Sequence, residues 1–108
     1  MNADSVSVAD NPAERRYEAT LDGRVVGISE YERDGDDRIV FVHTEVDSSV
    51  KGRGVGSALA AGALADAQSR GLEIVVECPF ISAYLRRHPD VLRNRTRPDE
   101  STPNPNPR

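Results

Sequence analysis

A glycine-rich, cationic segment leads directly into the most alanine-rich part of the sequence. Residues 50–59 read VKGRGVGSAL, in which three glycines are interleaved with Lys51 and Arg53. Glycine lets a backbone approach a ligand closely, and the first N–H groups of a helix are unpaired and carry partial positive charge. Such a loop at the start of a helix is suited to binding an anion, best a phosphate or pyrophosphate. The alternative is a simple turn with two solvated cations.

The order of the glycines does not match two common phosphate-binding loops. A Walker loop requires a lysine directly after its last glycine, and no lysine follows Gly56. The dinucleotide-binding fingerprint G-x-G-x-x-G fails because Ser57 stands where its third glycine is required. The loop is therefore predicted to belong to neither class.

Composition and charge limit the classes of protein and partner. The chain has 108 residues, which suits one domain, and its net charge of -4 argues against a nucleic-acid-binding surface. The single cysteine, Cys78, excludes an internal disulfide and a multi-cysteine metal site. No segment approaches the ~20 apolar residues of a membrane span, and the N-terminus lacks the pattern of a signal peptide. We therefore expect a cytoplasmic protein without a metal, a nucleic-acid partner or a membrane partner.

The two ends of the chain are polar and differ in composition from its middle. Residues 1–14 are acidic, and residues 93–108 are rich in proline and asparagine. Both compositions predict disorder, because neither end could bury enough apolar surface to fold. The folded domain is therefore predicted over residues 15–92.

The middle of the chain alternates between strand and helix patterns. Alternation and β-branched residues predict four strands, over residues 16–21, 24–33, 38–46 and 72–76. Helical spacing predicts two helices, over residues 54–70 and 79–87. Asp22-Gly23 predicts a tight hairpin between the first two strands, and the apolar run at 38–46 predicts a central strand buried on both faces.

The order of these elements, β-β-β-α-β-α, predicts an α/β fold with a mixed, mostly antiparallel sheet. Crossovers from strand to helix to strand are right-handed, so the strand over 72–76 should lie parallel to the strand over 38–46. The glycine loop then lies at the C-terminal end of the central strand. Open α/β sheets usually bind their ligands at that end.

The loop and its flanking strings together resemble one enzyme family. Residues 51–56, KGRGVG, match R/Q-x-x-G-x-G/A, the coenzyme A pyrophosphate loop of the Gcn5-related N-acetyltransferases, with Lys51 in place of the first arginine or glutamine. The strings HTEV, at 43–46, and CPFISAYLRRHP, at 78–89, resemble very small single-domain members of the YjdJ type. The resemblance implies a minimal acyl-CoA N-acyltransferase fold. This chain lacks the helices that normally follow the first strand of that fold and help to shape the acceptor pocket.

The resemblance also implies acetyl-CoA as the cosubstrate. The pyrophosphate would lie on the amides of residues 52–57, and the pantetheine arm would lie along residues 44–46 as an added strand does. The implied cofactor-binding residues are Thr44, Val46, Lys51, Gly52, Arg53, Gly54, Val55, Gly56 and Ser57.

The implied chemistry is acyl transfer to an amine, which must lose a proton before it attacks, so a base is required. Glu45 is the leading candidate for the base. The alternatives are a solvated carboxylate at the end of a strand and a carboxylate paired with Lys51 or Arg53. His43 lies two residues away on the same side of the strand. It is either a base or relay, or a buried structural histidine.

Two further residues have implied roles near the thioester. Cys78 is either the nucleophile of a ping-pong route, favoured by its place at a helix N-terminus, or a small buried hydrophobe. Tyr84 either protonates the departing thiolate or only packs.

The implied function is that of an acetyl-CoA-dependent N-acetyltransferase acting on an unidentified amine, a small molecule or a protein lysine. The alternative is a CoA- or acyl-CoA-binding module without efficient turnover. The open edges of so small a sheet are compatible with a monomer or a weak homodimer.

Overall fold

A computed structural model describes residues 6–92. Its five strands are β1 (Ser7–Asn11), β2 (Arg16–Leu21), β3 (Arg24–Arg33), β4 (Arg38–Val46) and β5 (Glu73–Val76). Its helices are α1 (Val55–Ser69) and α2 (Pro79–Arg87), and a 3-10 turn covers Ser48–Val50.

The strands form one sheet in chain order, β1-β2-β3-β4-β5. The pairs β1–β2, β2–β3 and β3–β4 are antiparallel, whereas β4 and β5, joined by α1, are parallel. The predicted α/β class with a mixed, mostly antiparallel sheet is therefore confirmed, as is the parallel pairing of the last strand. The sheet has one strand more than the sequence predicted, because β1 precedes the predicted set.

The disorder predicted over residues 1–14 is wrong for Ser7–Asn11, which forms the edge strand β1. The strand is held by contacts with residues far along the chain. Val8 packs so closely on α1 that a methyl group at Gly62 would lie 2.7 Å from the Val8 Cβ. Asp10 accepts a hydrogen bond from the Tyr31 hydroxyl at 2.6 Å. Residues 1–5 and the tail predicted to be disordered, 93–108, lie outside the described residues.

The apolar core lies between one face of the sheet and both helices. Side chains alternate along β2, where Tyr17, Ala19 and Leu21 are buried. The helix α1 lies against them with small and branched side chains that are fully buried, among them Leu59 and Ala63. The core is thus mainly aliphatic, with a cluster of three aromatic rings contributed by Tyr17, Tyr31 and Phe41.

Pairing between β4 and β5 ends well before β4 does. β5 pairs with residues 38–41 of β4, and the Glu77 amide adds a bond of 2.9 Å to the Phe41 carbonyl. Beyond Phe41, β4 continues to Val46 and pairs only with β3. Because β5 ends at Val76, residues 42–46 of β4 have no strand partner on the side of β5, and we call this unpaired length of edge the gap. The gap opens beside the glycine loop and the start of α2.

A β-bulge at the same place decides which side chains face the core. Residues 41 and 43 of β4 face consecutive residues of β3, so Val42 has no partner of its own. Phe41 is fully buried, whereas His43 and Glu45 are exposed on the other face. The prediction that β4 is buried on both faces is therefore wrong, because no described element covers that second face.

Candidate functional site

The loop between β4 and α1 is anchored at its start by Asp47. The Asp47 carboxylate accepts a bond of 2.9 Å from the Ser49 amide and one of 3.1 Å from Arg24. The bond from Ser49 contributes most, and that from Arg24 adds to it, in holding the pKa of Asp47 below its usual range. Val50, which is buried, fixes the other side of the turn against the core. The glycine segment therefore projects from a fixed base.

The three glycines of the loop are required for two different reasons. Gly52 and Gly54 have φ values of 83° and 79°, in the left-handed region, and a methyl group at either would meet no atom within 4 Å. Glycine is required at both positions because other residues adopt this backbone conformation only with strain. Gly56 lies within α1, where a methyl group would lie 2.5 Å from the Phe80 ring. Gly56 therefore makes room for a side chain of α2.

The N-terminus of α1 has unpaired amides and no competing group. The first helical bond runs from the Ala58 amide to the Gly54 carbonyl, at 3.0 Å. The amides of Val55, Gly56 and Ser57 thus have no carbonyl partner within the helix. Gly54 provides no side-chain cap, and the first turn contains no acidic residue. The helix end is therefore electrostatically open to an anion.

Lys51 and Arg53 lie at the same helix end with their charges unpaired. Both are exposed, and neither forms an ion pair with any residue between 6 and 92. The structure thus brings all the predicted loop residues together at one helix end. The amides and the cations converge as an anion site requires.

Cys78 lies at the gap between β4 and β5. It precedes the first residue of α2 and is only 1% exposed. Its Sγ lies 3.2 Å from the Thr44 Oγ1, which lies 3.1 Å from the Oγ of the buried Ser29. This chain of contacts fixes the thiol on the core side of β4. Sequence reasoning missed Ser29, because only the pairing of β3 with β4 brings it to Thr44.

His43 and Glu45 form a pair on the uncovered face of the sheet. The His43 Nε2 lies 2.8 Å from a Glu45 carboxylate oxygen, and their side chains are 51% and 68% exposed. The prediction that they share one side of the strand is confirmed. The alternative of a buried structural histidine is wrong, since the bulge turns the side chain outward. Glu45 pairs with His43 and not with the loop cations.

Glu30 is a third polar residue at this pair that sequence reasoning missed. It lies on β3 directly opposite His43. Side chains of directly opposed residues in an antiparallel pair lie about 5 Å apart at Cβ. The alternation of β3 indicated an outward Glu30, but not the register that brings it to His43. His43 is thus flanked by carboxylates on its own strand and on the next.

The candidate residues therefore fall on two sides of β4. Thr44 and Cys78 lie on the core side, at the gap, whereas His43 and Glu45 point to the uncovered face. No hydrogen bond joins the two groups among the described residues.

Tyr84 is not brought to Cys78. It lies six residues further along α2, about 9 Å along the helix axis at 1.5 Å per residue. The residue is buried, and its ring stacks on His88 with centroids 4.4 Å apart. These contacts agree with a packing role, and the acid role of Tyr84 stays a prediction.

Two clefts open on or beside the uncovered face. The first, of about 300 Å³, is lined by residues 25–28 and 45–47, at the end of β4 that leads into the loop. The second, of about 430 Å³, is lined by residues 14–15, 30–33 and Val42, around the bulge. Glu45 lines the first cleft and Glu30 the second. His43, which contacts Glu45 and faces Glu30, lies between them.

Within residues 6–92, no group of three or more histidine, cysteine, aspartate or glutamate side chains could hold a metal ion. Neither helix of that range is long and apolar enough to cross a membrane.

Comparison with models of protein families identifies the family of the chain. A family model described as GCN5-related N-acetyl-transferase matches residues 16–94, well over half of the chain. No protein of curated function matches the chain. The family match agrees with the family that the loop and its flanking strings indicate. It does not separate the YjdJ type from other members, so that subtype stays a prediction.

Proposed function

Because the chain belongs to the GCN5-related N-acetyltransferase family, we propose that it transfers the acetyl group of acetyl-CoA to a primary amine. Family membership supports a general acetyltransferase activity. The cosubstrate, the acceptor and the roles of individual residues are our proposal. The observation that carries it is the N-terminus of α1, where unpaired amides and two unpaired cations meet beside the gap in the sheet.

The loop would hold the pyrophosphate of CoA. Gly52 and residues 54–57 supply backbone N–H donors, whereas the Arg53 amide already donates to the Val50 carbonyl at 3.2 Å, and Lys51 and Arg53 supply charge. Lysine interacts with phosphate as a point charge and does not form the bidentate fork of arginine. The first position of the loop therefore supplies attraction with less directional preference, and the fixed amides set the orientation of the phosphates.

The free edge of β4 would hold the pantetheine arm. The Asp47 amide donates to the Val26 carbonyl of β3, at 2.8 Å. Alternate residues of an antiparallel strand bond to the same neighbour, so Thr44 and Val46 direct their N–H and C=O groups away from β3. These groups face the gap where β5 no longer pairs. An amide-bearing arm could add to that edge as a strand does.

The acetyl transfer would take place in the gap. The amine nitrogen attacks the thioester carbonyl carbon, the C–N bond forms, and the C–S bond then breaks to release the CoA thiolate. The amine loses its proton to Glu45, with the bonded His43 as its partner or relay, from the uncovered side of β4. The thioester enters from the side of Thr44 and Cys78.

The burial of Cys78 favours direct transfer over an acetyl-cysteine intermediate. The thiol is 1% exposed, and its bond within residues 6–92 is to the Thr44 hydroxyl and not to a base. A nucleophilic thiol requires access to the thioester and loss of its proton. We therefore assign Cys78 to the wall of the thioester site.

Release of free thiol from acetyl-CoA, measured with and without an amine, tests this function. Spermidine and Nα-acetyl-lysine are suitable acceptors. Release should require both the protein and the amine. Glu45→Gln should lower kcat by about 100-fold or more if Glu45 is the base. The control is Asp90→Asn, which removes the same charge from an exposed position after α2 and should leave kcat unchanged.

A CoA-binding module without turnover predicts a different result. Such a protein would bind acetyl-CoA and release no thiol with either acceptor. Equal kcat values for wild type and Glu45→Gln would remove Glu45 from the mechanism and leave His43 as the candidate base.

A further inference from the structure

The face of the sheet opposite the helices carries partly exposed aliphatic side chains. In the described residues no helix or strand covers it. The half-buried residues Ile28, Val40, Val42 and Val75 lie there, and none belongs to the core cluster or packs against it. Val40 lies directly opposite Val75, and Ile28 lies opposite Glu45. The aliphatic groups thus form a strip across β3, β4 and β5.

Carboxylates that have no lysine or arginine partner within residues 6–92 border this aliphatic strip. Glu30, Glu32 and Glu45 share the face, and none forms an ion pair with a lysine or arginine within residues 6–92. By contrast, Glu18 on the same face is paired with Arg16, at 2.9 Å. Two of these carboxylates, Glu30 and Glu32, form no ion pair within residues 6–92, and the third, Glu45, is bonded only to His43.

The arginines near the face do not neutralise these carboxylates. Arg15 and Arg33 line the second cleft. Glu14, Glu30 and Glu32 line the same cleft, so its acidic side chains outnumber its arginines. Arg38 is occupied by Glu73 and Asp34. The surface between the two clefts thus keeps an excess of negative charge around His43.

This combination matches the chemistry of a lysine side chain. Lysine carries an ammonium on a four-carbon stem, so it is complementary to a carboxylate beside aliphatic surface. The first cleft offers that pairing in Glu45 and Ile28, and the second offers it in Glu30 and Val42. His43 lies between the two clefts, and its partner Glu45 lines the first. A chain crossing the face would place side chains in both clefts and its middle residue at His43.

From this charge complementarity we infer that the uncovered face docks an extended, basic segment of a partner protein and presents one of its lysines to His43 and Glu45. The inference rests on the proposed function and names its acceptor class. Opposite charges would also accelerate encounter with such a segment. The two substrates then approach β4 from opposite sides, the anionic cosubstrate at the loop and the cationic acceptor at the face.

Binding of a defined peptide, measured by amide NMR on the full chain with and without CoA, tests the inference. The probe is an eleven-residue peptide with one central lysine flanked by arginines, and the control peptide has glutamates in place of the arginines. We expect the basic peptide to shift the amides of β3 and β4 around Glu30, His43 and Glu45. The acidic peptide should not bind.

A charge-removing double variant tests the same surface by affinity. Glu30→Gln with Glu32→Gln should raise the Kd of the basic peptide by about three- to tenfold, as expected for two exposed charges. Asp90→Asn, the matched control on the helix side, should leave the Kd unchanged. CoA binding should be unaffected in both variants, because neither touches the loop.

Several results would overturn the inference. Peptide shifts confined to the helix side, or equal Kd values for the wild type and the double variant, would place the peptide elsewhere. Concentration-dependent shifts of the face without peptide would show that a second copy covers it. Face shifts caused by replacing Arg93, Arg95 and Arg97 with glutamine would show that the chain's own end occupies it.

The inference and the proposed function can fail separately. Thiol release with spermidine, without binding of the basic peptide, would support the transferase function and contradict the docking surface. Peptide binding to the face without thiol release would keep the docking surface and remove the transferase.

Discussion

Gly56 and Phe80 form the most specific residue-level fit at the candidate site. A methyl group at position 56 would overlap the ring tip, which is 2.5 Å away, although the ring is 40% exposed. Gly56→Ala should therefore destabilise the protein by about 1–3 kcal/mol through overpacking. In a Phe80→Ala background the same change should cost nothing or stabilise α1, because alanine is the better helix former.

Urea unfolding of the wild type, both single variants and the double variant measures this coupling. Additive free energies of unfolding would show that the ring moves aside without cost, and that Gly56 is not required by Phe80. Non-additive effects of the two substitutions on the free energy of unfolding would confirm that the start of α1 and the start of α2 are fixed to each other beside the gap.

Direct transfer predicts the outcome of an acid quench. Wild-type protein mixed with acetyl-CoA and quenched in acid should show no added acetyl group by intact mass. Cys78→Ser should keep thiol release within about tenfold of the wild type, because the residue bounds the thioester and does not carry it. An acetyl adduct present in the wild type and absent from Cys78→Ser would establish the ping-pong route in its place.

At the residue scale, the sequence indicated the groups whose local pattern is distinctive. The glycine loop stands out by composition, and His43 and Glu45 share a side because a strand alternates. Ser29 and Glu30 could not be found in this way. Each is brought to its neighbour on β4 by the register of β3 against β4. That register depends on a bulge that no local sequence pattern predicts.

At the scale of elements, a partly buried polar network ties β1, β2 and β3 to α1. The Tyr17 hydroxyl donates to Asp66 at 2.7 Å, and the Tyr31 hydroxyl donates to Asp10 at 2.6 Å. Arg70 bridges the two carboxylates, with distances of 3.3 Å to Asp10 and 3.0 Å to Asp66. The network secures the edge strand to the helix that carries the glycine loop.

This network predicts a loss of stability in alkali. Burial, followed by the bond to Asp10, raises the pKa of Tyr31 to about 12, and burial with the bond to Asp66 raises the pKa of Tyr17 further. Above pH 10 the unfolded tyrosines lose protons that the folded ones keep, so the free energy of unfolding falls as the pH rises. The slope should approach about 1.4 kcal/mol per pH unit for each tyrosine.

Urea unfolding between pH 8.5 and 11.5 checks the slope, and Tyr31→Phe should remove the part due to Tyr31. A free energy of unfolding that does not depend on pH across this interval would contradict the network. So would an equal slope in Tyr31→Phe.

The elements differ in how far the sequence predicts them. β2, β3 and β4 show alternation and a hairpin signal at Asp22-Gly23, and all three were predicted. β1 was missed because its residues are polar and its stability comes from Val8 against Gly62 and from Asp10 in the network. The exposure of one face of β4 was missed because the apolar run at its start does not reveal that a covering layer is absent.

At the scale of the whole molecule, charge is divided between two sides of the gap. Within residues 6–92, the loop side has unpaired cations and helix amides, and the uncovered face has carboxylates without a lysine or arginine partner. Fold class and family followed from element order and the loop motif. The separation of the two surfaces did not, because it depends on the bulge and the early end of β4–β5 pairing.

Two glycines give a matched test of whether the glycine loop binds acetyl-CoA. Gly54, in the loop, and Gly71, beyond the other end of α1, both have left-handed φ values and open space at Cβ. Replacing either with glutamate should cost about 1–2 kcal/mol of backbone strain. Only Gly54→Glu places its charge at the pyrophosphate.

The free energy of unfolding with and without acetyl-CoA is the measurement to make on the wild type and these two variants. At 100 times the dissociation constant, acetyl-CoA should add about 2.7 kcal/mol to the wild type and to Gly71→Glu, and nothing to Gly54→Glu. No increase in the wild type at saturating acetyl-CoA, or the same increase in both variants, would contradict the claim that this loop is the cosubstrate site.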